Sequence, residues 1–297
     1  MSNQNTNVLS SRAMLARVSI SQWSARKTDK RITREVITAH NATDDAGRWS
    51  KTLVAKNALE SIAKAADSAR ATHTTLTLPW TDNGMRILPA AGYIVYTNRM
   101  REHRETFESA VTAFCAAYPS FVEQARRDLN GTFDAADYPE PGEIIARFGF
   151  ATRIFPVPDA SDFRVDLGDA DAAAIRADIE QASHEALAGA MRDAWERIAE
   201  AVGRMVERLN GYKPSKGKGD KASNTFRDSL VGNVRDLVAL LPVLNLTNDP
   251  RLADVAARME RDLCQHDADD LREDDNARAS TARAAQAILD DVAGFLA

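Results

Sequence analysis

The sequence has few of the residues and motifs that usually indicate a reaction chemistry. Its two cysteines, Cys115 and Cys264, lie far apart and outside any C-x-x-C pattern, so neither a disulfide framework nor a zinc cluster is indicated. No G-x-S-x-G, H-E-x-x-H or P-loop motif occurs, and the five histidines form no two-histidine helical face with a carboxylate. We therefore predict a protein that is not an enzyme and that holds no metal or cofactor.

Long apolar runs and an overall basic charge are also missing. No stretch approaches the roughly 20 apolar residues that span a bilayer. The first residues lack the basic and then apolar segments of a secretory signal. We therefore expect a cytoplasmic protein with no membrane partner. The formal net charge of −5 argues against a uniformly basic nucleic-acid binder but is compatible with a local basic patch.

The residues that are abundant favour helices. Aromatic residues make up only 6% of the 297-residue chain, whereas Ala, Arg, Glu and Leu are frequent. Apolar residues spaced by three and four predict helices over 24–40, 53–77, 90–130, 169–210, 224–241, 250–265 and 277–296. Runs of β type at 14–23, 150–157 and 163–167 predict one small sheet. The predicted fold class is mainly α with a minor small sheet, built as a long-helix bundle.

The same patterns predict the domain organisation. We expect a disordered N-terminus over 1–12, a main domain over 13–212, a flexible basic linker over 213–222 and a C-terminal helical subdomain over 223–297. The linker contains KPSKGKGDK, whose residues bury too little surface to offset their ordering.

Two long predicted helices, 90–130 and 169–210, carry continuous apolar seams. They could pack on each other as an antiparallel pair, or they could form the seam of a homo-oligomer, and the pattern leaves both open. Proline removes a backbone donor from a helix, so Pro119 is expected to kink or split the first of them.

The first candidate binding surface is basic and lies near the N-terminus. Its members are Arg26, Lys27, Lys30, Arg31 and Arg34, with Arg48, Lys51 and Lys56 following. Such a cluster fits phosphate binding, and Trp23 and Trp49 would be available to stack on bases. The alternative, and the more common case, is a solvated helix face balanced by acidic residues of the same chain or of a neighbour.

The second candidate surface is acidic and lies near the C-terminus. Its members are Asp267, Asp269, Asp270, Glu273, Asp274 and Asp275. The run lacks the central Gly and closing Glu of a calcium-binding loop, so a solvated loop is expected. Opposite charges at the two ends of the chain favour head-to-tail contacts between copies, which generate rings or filaments.

A third candidate is Trp80, in the turn LPWTDNG. A tryptophan beside a proline can anchor an interface. More often it packs the turn onto the core, which is the reading we favour.

Six runs together resemble an uncharacterised protein family of tailed bacteriophages and plasmids. They are SISQWSARK (19–27), LPWTDNGMRILP (78–89), RFGFATRIFPVP (147–158), DFRVDL (162–167), FRDSLVGN (226–233) and LPVLNLTNDP (241–250). The resemblance implies a phage-encoded protein in the cytoplasm of an infected host. Genes of this family often lie near a MoxR-type AAA+ ATPase and a von Willebrand factor A-like protein, which implies the ATPase as a partner. The family brings no catalytic residues.

The predicted function is therefore a non-enzymatic assembly or adaptor protein that acts through long-helix surfaces. It would work as a homo-oligomer, in a ring or filament, or with an AAA+ ATPase. The alternative is a single-stranded nucleic-acid-binding protein that uses the basic N-terminal helix.

Overall fold

The computed structural model describes residues 8–80, 84–162, 169–214 and 222–296, and helices dominate this part of the chain. The described residues are 69% helical and 11% strand, so the predicted class, mainly α with a minor sheet, is confirmed. The helices in the described residues are α1 (Val8–Arg12), α2 (Lys30–Ala39), α3 (Glu60–Leu76), α4 (Tyr93–Leu129), α5 (Asp169–Gly211), α6 (Ser229–Leu244), α7 (Pro250–Leu263), α8 (Ala268–Glu273) and α9 (Asp275–Leu296).

The described strands form a small sheet and a separate two-stranded ribbon. They are β1 (Ala13–Ser21), β2 (Arg26–Thr28), β3 (Ser50–Thr52), β4 (Leu78–Pro79), β5 (Arg86–Pro89) and β6 (Gly149–Pro156). The sheet has the order β4-β5-β1-β6, and β5 runs antiparallel to both β4 and β1. The ribbon pairs β2 with β3, placing Arg26 opposite Thr52. The strands predicted over 14–23 and 150–157 are confirmed, and the one predicted over 163–167 lies outside the described residues.

The chain divides into two compact units, and this division differs from the predicted one. Unit 1 comprises residues 1–17, 74–94 and 154–297, and unit 2 comprises residues 18–73 and 95–153. The predicted boundary near residue 213 does not separate domains, because α5 and the helices after it share one core. The predicted linker lies mostly outside the described residues, although Lys213 at its start and Ser223 just after its end exchange two backbone hydrogen bonds of 3.1 Å.

The predicted N-terminal disorder is wrong from Val8 onward. Val8–Arg12 form α1, and the side chain of Leu9 is buried against the apolar residues of unit 1. The preceding residues, 1–7, lie outside the described part of the chain.

In unit 1, helices of the same unit cover the apolar seam of α5. The buried seam residues are Trp195, Ile198, Val202, Met205 and Leu209. They pack against apolar side chains of α6, α7 and α9. Of the possibilities left open above, pairing with 90–130 is not what buries these residues, because α6, α7 and α9 do. Nearer the sheet, a second cluster includes Leu15, Ile87 and Ala190, and Trp80 packs against it, as expected of a turn held onto the core.

In unit 2, α3 and α4 form the core. Ile62, Ala65 and Ala66 of α3 pack with aromatic and branched residues of α4. Those residues are Phe107, Val111, Phe114 and Tyr118. The helix α4 continues through Pro119, which is exposed, so the predicted split does not occur. It ends where Asn130 adopts a positive φ of 43°, a conformation that asparagine tolerates better than most residues.

Candidate functional site

The helix α2 owes its start to one aspartate. Asp29 Oδ1 accepts hydrogen bonds from the backbone N–H groups of Arg31 (2.9 Å) and Ile32 (3.0 Å), two donors that have no partner inside the helix. Residues 24–29 therefore precede the helix, and the prediction of a helix from residue 24 is wrong there. Residues 26–28 pair as β2 instead.

One side of α2 is apolar but uncovered. None of its residues is buried, and the side chain of Val36 is 46% exposed. That side faces the segment 42–49, and the two enclose an open groove of about 280 Å³. The groove is lined by Thr33, Val36, Ile37, His40, Ala42, Ala46, Gly47, Arg48 and Trp49. An amphipathic helix normally buries its apolar stripe, so this groove is an incompletely filled part of unit 2.

Two backbone hydrogen bonds hold Trp49 at the end of the groove. Its N–H donates to the hydroxyl of Thr33 (3.0 Å), and its carbonyl accepts from the N–H of Asp29 (3.0 Å). The Thr33 hydroxyl in turn donates to the carbonyl of Asp29 (2.6 Å). The backbone of Trp49, whose side chain is partly buried, is therefore attached to the first turn of α2 and to its cap.

The exposed cations of the predicted basic patch lie on α2 and in the segments before and after it. Some of them are ion-paired in the structure and others are not. Lys27 pairs with Asp137 (2.9 Å), and Arg31 pairs with Glu35 (2.9 Å). In the part of the chain that the structure describes, no carboxylate lies within ion-pair distance of the other three members or of Arg48. These four cations, all exposed, are Arg26, Lys30, Arg34 and Arg48.

A buried lysine, Lys51, forms an ion-pair network next to the ribbon and the cap of α2. Lys51 is 5% exposed, and its ammonium donates to the Thr132 carbonyl (2.9 Å) while pairing with Asp137 and, at 3.6 Å, with Asp29. Burial by itself would lower the pKa of Lys51, but the two carboxylates outweigh it and raise that pKa. The network connects the ribbon and the cap of α2 to the turn after α4. The position of Lys51 among other basic residues in the sequence did not indicate this structural role.

The two tryptophans predicted to stack on bases lie in different surroundings. The ring of Trp23 packs against Phe114 (6.3 Å between centroids) and against Tyr118 (5.9 Å, edge-on). It is partly buried against the core of unit 2, so two aromatic neighbours already contact its ring. Trp49 alone of this pair lines the groove.

The acidic candidates serve mainly as helix caps and surface ion pairs of unit 1. The predicted loop is in fact α8, where Asp267 and Asp270 form a capping box. Asp267 also pairs with Arg235 (2.7 Å), and Asp274 accepts from the first N–H groups of α9. Two further pairs are Asp269 with Arg272 and Asp275 with Arg278. The last member, Glu273, is exposed at the end of α8. Local helix chemistry thus explains most of this run.

Two other features of unit 1 are less suited to a ligand. Arg86 and Arg197 donate to the carbonyls at the end of α3, including that of Thr77 (3.2 and 2.6 Å), so their hydrogen bonds are directed to the protein itself. A groove of about 410 Å³ beside α6 and α7 contains Asn245, whose amide bonds the backbone of Asp249. The charged residues that line this groove are the carboxylates Asp249 and Glu260, so it offers no cation to a phosphate.

Removal of the Asp29 carboxylate should fray α2. In Asp29→Ala, the N–H groups of Arg31 and Ile32 lose their acceptor, so the amides of α2 should exchange hydrogen faster while those of α4 do not change. Hydrogen-exchange mass spectrometry would measure this, with the exposed Asp44→Ala as control. Unchanged protection of α2 would show that the cap does not hold the helix.

The wild-type helix should fray in the same way in acid. Hydrogen bonds from the N–H of Ile32, and then from that of Arg31, lower the pKa of Asp29 below its ordinary 3.8. The cap is therefore fully present above that value and is lost as the pH falls through the lowered pKa.

The described residues contain neither a metal-ligand cluster nor a membrane-spanning helix. Among these residues, no three His, Cys, Asp or Glu side chains lie close enough to hold a metal ion. None of the helices within the same ranges is long and apolar enough to cross a membrane.

Comparison with protein-family models, with curated proteins and with solved structures gave no match to this chain. A proposal for function therefore rests on the geometry around α2.

Proposed function

We propose that this chain is a non-enzymatic protein that binds single-stranded nucleic acid on one surface of unit 2. We call it the α2 surface and define it by Arg26, Lys30, Arg34 and Arg48 together with the groove that Trp49 lines. The observation that carries the proposal is that these four exposed cations have no carboxylate partner in the described chain, and that one of them, Arg48, lines the same groove as Trp49. Cations neutralise phosphates, and an aromatic ring stacks on bases.

The distribution of charge supports the proposal. Unit 2 contains 17 Lys and Arg and 15 Asp and Glu, a formal charge of +2. Unit 1 contains 21 and 28 of these residues, a formal charge of −7. A polyanion approaching the molecule would therefore be attracted to unit 2 although the whole chain is acidic.

The open groove favours a single strand over a duplex. Bases in a duplex are stacked and paired, whereas those of a single strand are free to contact aromatic side chains. A strand following the cations could therefore offer both its phosphates and its bases to the α2 surface.

An assembly or adaptor protein is the alternative proposal. It would be phage-encoded, as the family resemblance implies, and would join further copies of itself or a MoxR-type AAA+ ATPase in the host cytoplasm. The apolar seam of α5, which first suggested this proposal, now supports it less, because helices of unit 1 cover that seam. The motive that remains is the opposite charge of the two units.

Neutralising the four cations should weaken binding to a single strand on the order of a hundredfold near 0.1 M salt. The variant combines Arg26→Gln, Lys30→Gln, Arg34→Gln and Arg48→Gln. Because each phosphate contact contributes about −0.7 to the slope of log affinity against log salt, the slope should become shallower by about 3. Fluorescence anisotropy with labelled oligothymidylate at several salt concentrations measures both quantities.

A matched control removes four other exposed arginines of unit 2. It combines Arg99→Gln, Arg101→Gln, Arg127→Gln and Arg147→Gln, and it should bind nearly as the wild type does. Equal losses in both variants, or no binding by the wild type at low salt, would refute the proposal. Larger particles in light scattering that require the four α2-surface cations would favour the assembly alternative instead.

A further inference from the structure

We infer that the groove between α2 and residues 42–49 is a pocket for one unpaired nucleobase, which stacks on Trp49. This inference rests on the proposed function and goes one step further. It assigns the phosphates of the strand to the exposed cations and one of its bases to the groove.

The size of the groove suits one base. Sites that enclose drug-sized ligands measure roughly 300–1,000 Å³, and this groove, at about 280 Å³, lies just below that range. It is also short, since it is bounded by one side of a ten-residue helix and by the segment 42–49. An extended peptide or a second helix would find little of its length covered.

The walls suit a flat aromatic group. Val36 and Ile37 supply an apolar wall from α2, and Trp49 supplies an indole whose backbone is held to α2 and its cap by two hydrogen bonds. Because the backbone of Trp49 is already fixed, only the side chain of this residue has to be ordered when a base stacks on it. Because every base has a π face, such a wall would accept different bases.

The charge around the groove indicates that the aromatic group belongs to an anion. Arg48 lines the groove itself and is exposed, and Arg34 is exposed on the same helix, α2. Neither has a carboxylate within ion-pair distance in the described ranges. A neutral aromatic ligand, or an aromatic side chain of a partner protein, would leave these cations unused. A nucleotide within a strand engages both the apolar wall and the cations.

Two probes with the same phosphates separate base recognition from charge recognition. One is a fluorescein-labelled ten-residue oligothymidylate, and the other is the same chain with every base removed. We expect the wild type to bind the first about tenfold more tightly than the second. Trp49→Leu should remove most of this difference by weakening only the probe with bases, and Trp49→Phe should restore much of it.

The outcomes distinguish this inference from the proposed function. Equal wild-type affinity for the two probes would overturn the base pocket while leaving phosphate binding intact. Binding of neither probe would overturn both. This comparison uses the wild type, so it holds even if Trp49→Leu fails to fold, which circular dichroism would reveal.

A spectroscopic measurement tests stacking directly. One 2-aminopurine within the oligothymidylate should lose fluorescence when it stacks on the Trp49 indole, and Trp49→Leu should abolish that loss. The variant Trp80→Phe, whose site lies in unit 1, serves as the control and should keep it. Undiminished 2-aminopurine emission at saturating wild-type protein, with the probe moved through each position of the strand, would overturn the inference.

Discussion

Truncating Ile198 to alanine should lower the free energy of unfolding of unit 1 by about 3 kcal/mol, within the roughly 2–5 kcal/mol typical of buried Ile-to-Ala changes. Ile198 is fully buried in the middle of α5 and belongs to the cluster formed with α6, α7 and α9. The loss combines the transfer of the removed methyl and methylene groups with the cavity that rigid neighbouring helices leave behind.

Urea unfolding followed by circular dichroism would measure this loss. The control is Glu207→Ala, an exposed position on the same helix, which should change the free energy of unfolding by less than about 0.5 kcal/mol. Because helices of the same unit cover Ile198, the particle mass in light scattering should not change. Equal unfolding midpoints for the two variants would show that the α5 seam is not packed as described.

Replacing Lys51 by methionine should lower the free energy of unfolding of unit 2 by about 2 kcal/mol. Removing one partner of a fully buried ion pair costs roughly 3–5 kcal/mol, because the other charge is left buried and unpaired. Here Lys27 still pairs with Asp137, which makes the expected loss smaller. The remaining cost comes from the carboxylates of Asp137 and Asp29 and from the Thr132 carbonyl, which all lose the ammonium.

The loss should depend on pH in a defined direction. Burial raises the pKa of Asp137, but hydrogen bonds from Lys51 and Lys27 outweigh it, so the net effect is a lowered pKa. A carboxylate with a lowered folded-state pKa stabilises the fold above its unfolded pKa of about 3.9, and this contribution disappears as the pH falls through the folded value. The free energy of unfolding of the wild type should therefore exceed that of Lys51→Met most between about pH 5 and 7. This difference should shrink below about pH 4.

Urea unfolding of both proteins from about pH 3 to 7 would test this dependence, with the exposed Lys56→Met as control. The double variant Lys51→Met with Asp137→Leu should recover part of the loss, because apolar residues often replace a buried pair without large cost. A Lys51→Met protein with the wild-type midpoint at pH 6 would contradict the prediction.

The sequence by itself determined the long helices. Apolar spacing predicted 90–130 and 169–210, and the structure has Tyr93–Leu129 and Asp169–Gly211. Helical hydrogen bonds join residues four apart, so a helix can be predicted from neighbouring residues alone. The ribbon was not predictable in this way, because β2 finds its partner β3 more than 20 residues later, and the helix predicted from residue 24 starts only at Lys30.

Only the tertiary structure decided which candidate residues are accessible. Lys27 and Lys51 meet Asp137, far away in the chain, whereas Lys30 and Arg34 have no such partner in the described residues. Trp23 packs on Phe114, while Trp49 lines the groove. The residue type alone does not show whether a lysine will be ion-paired or a tryptophan packed in the core. Their free charge or free ring surface depends on groups that folding brings near.

The apolar seam of α5 shows the same division. Its periodicity correctly predicted that one side of the helix would be covered, since apolar surface is driven out of water. The hydrophobic effect is non-directional and does not select a partner. The seam could equally have packed on α4 or on a second copy of the chain. Folding of the C-terminal helices onto α5 within unit 1 decided between these partners.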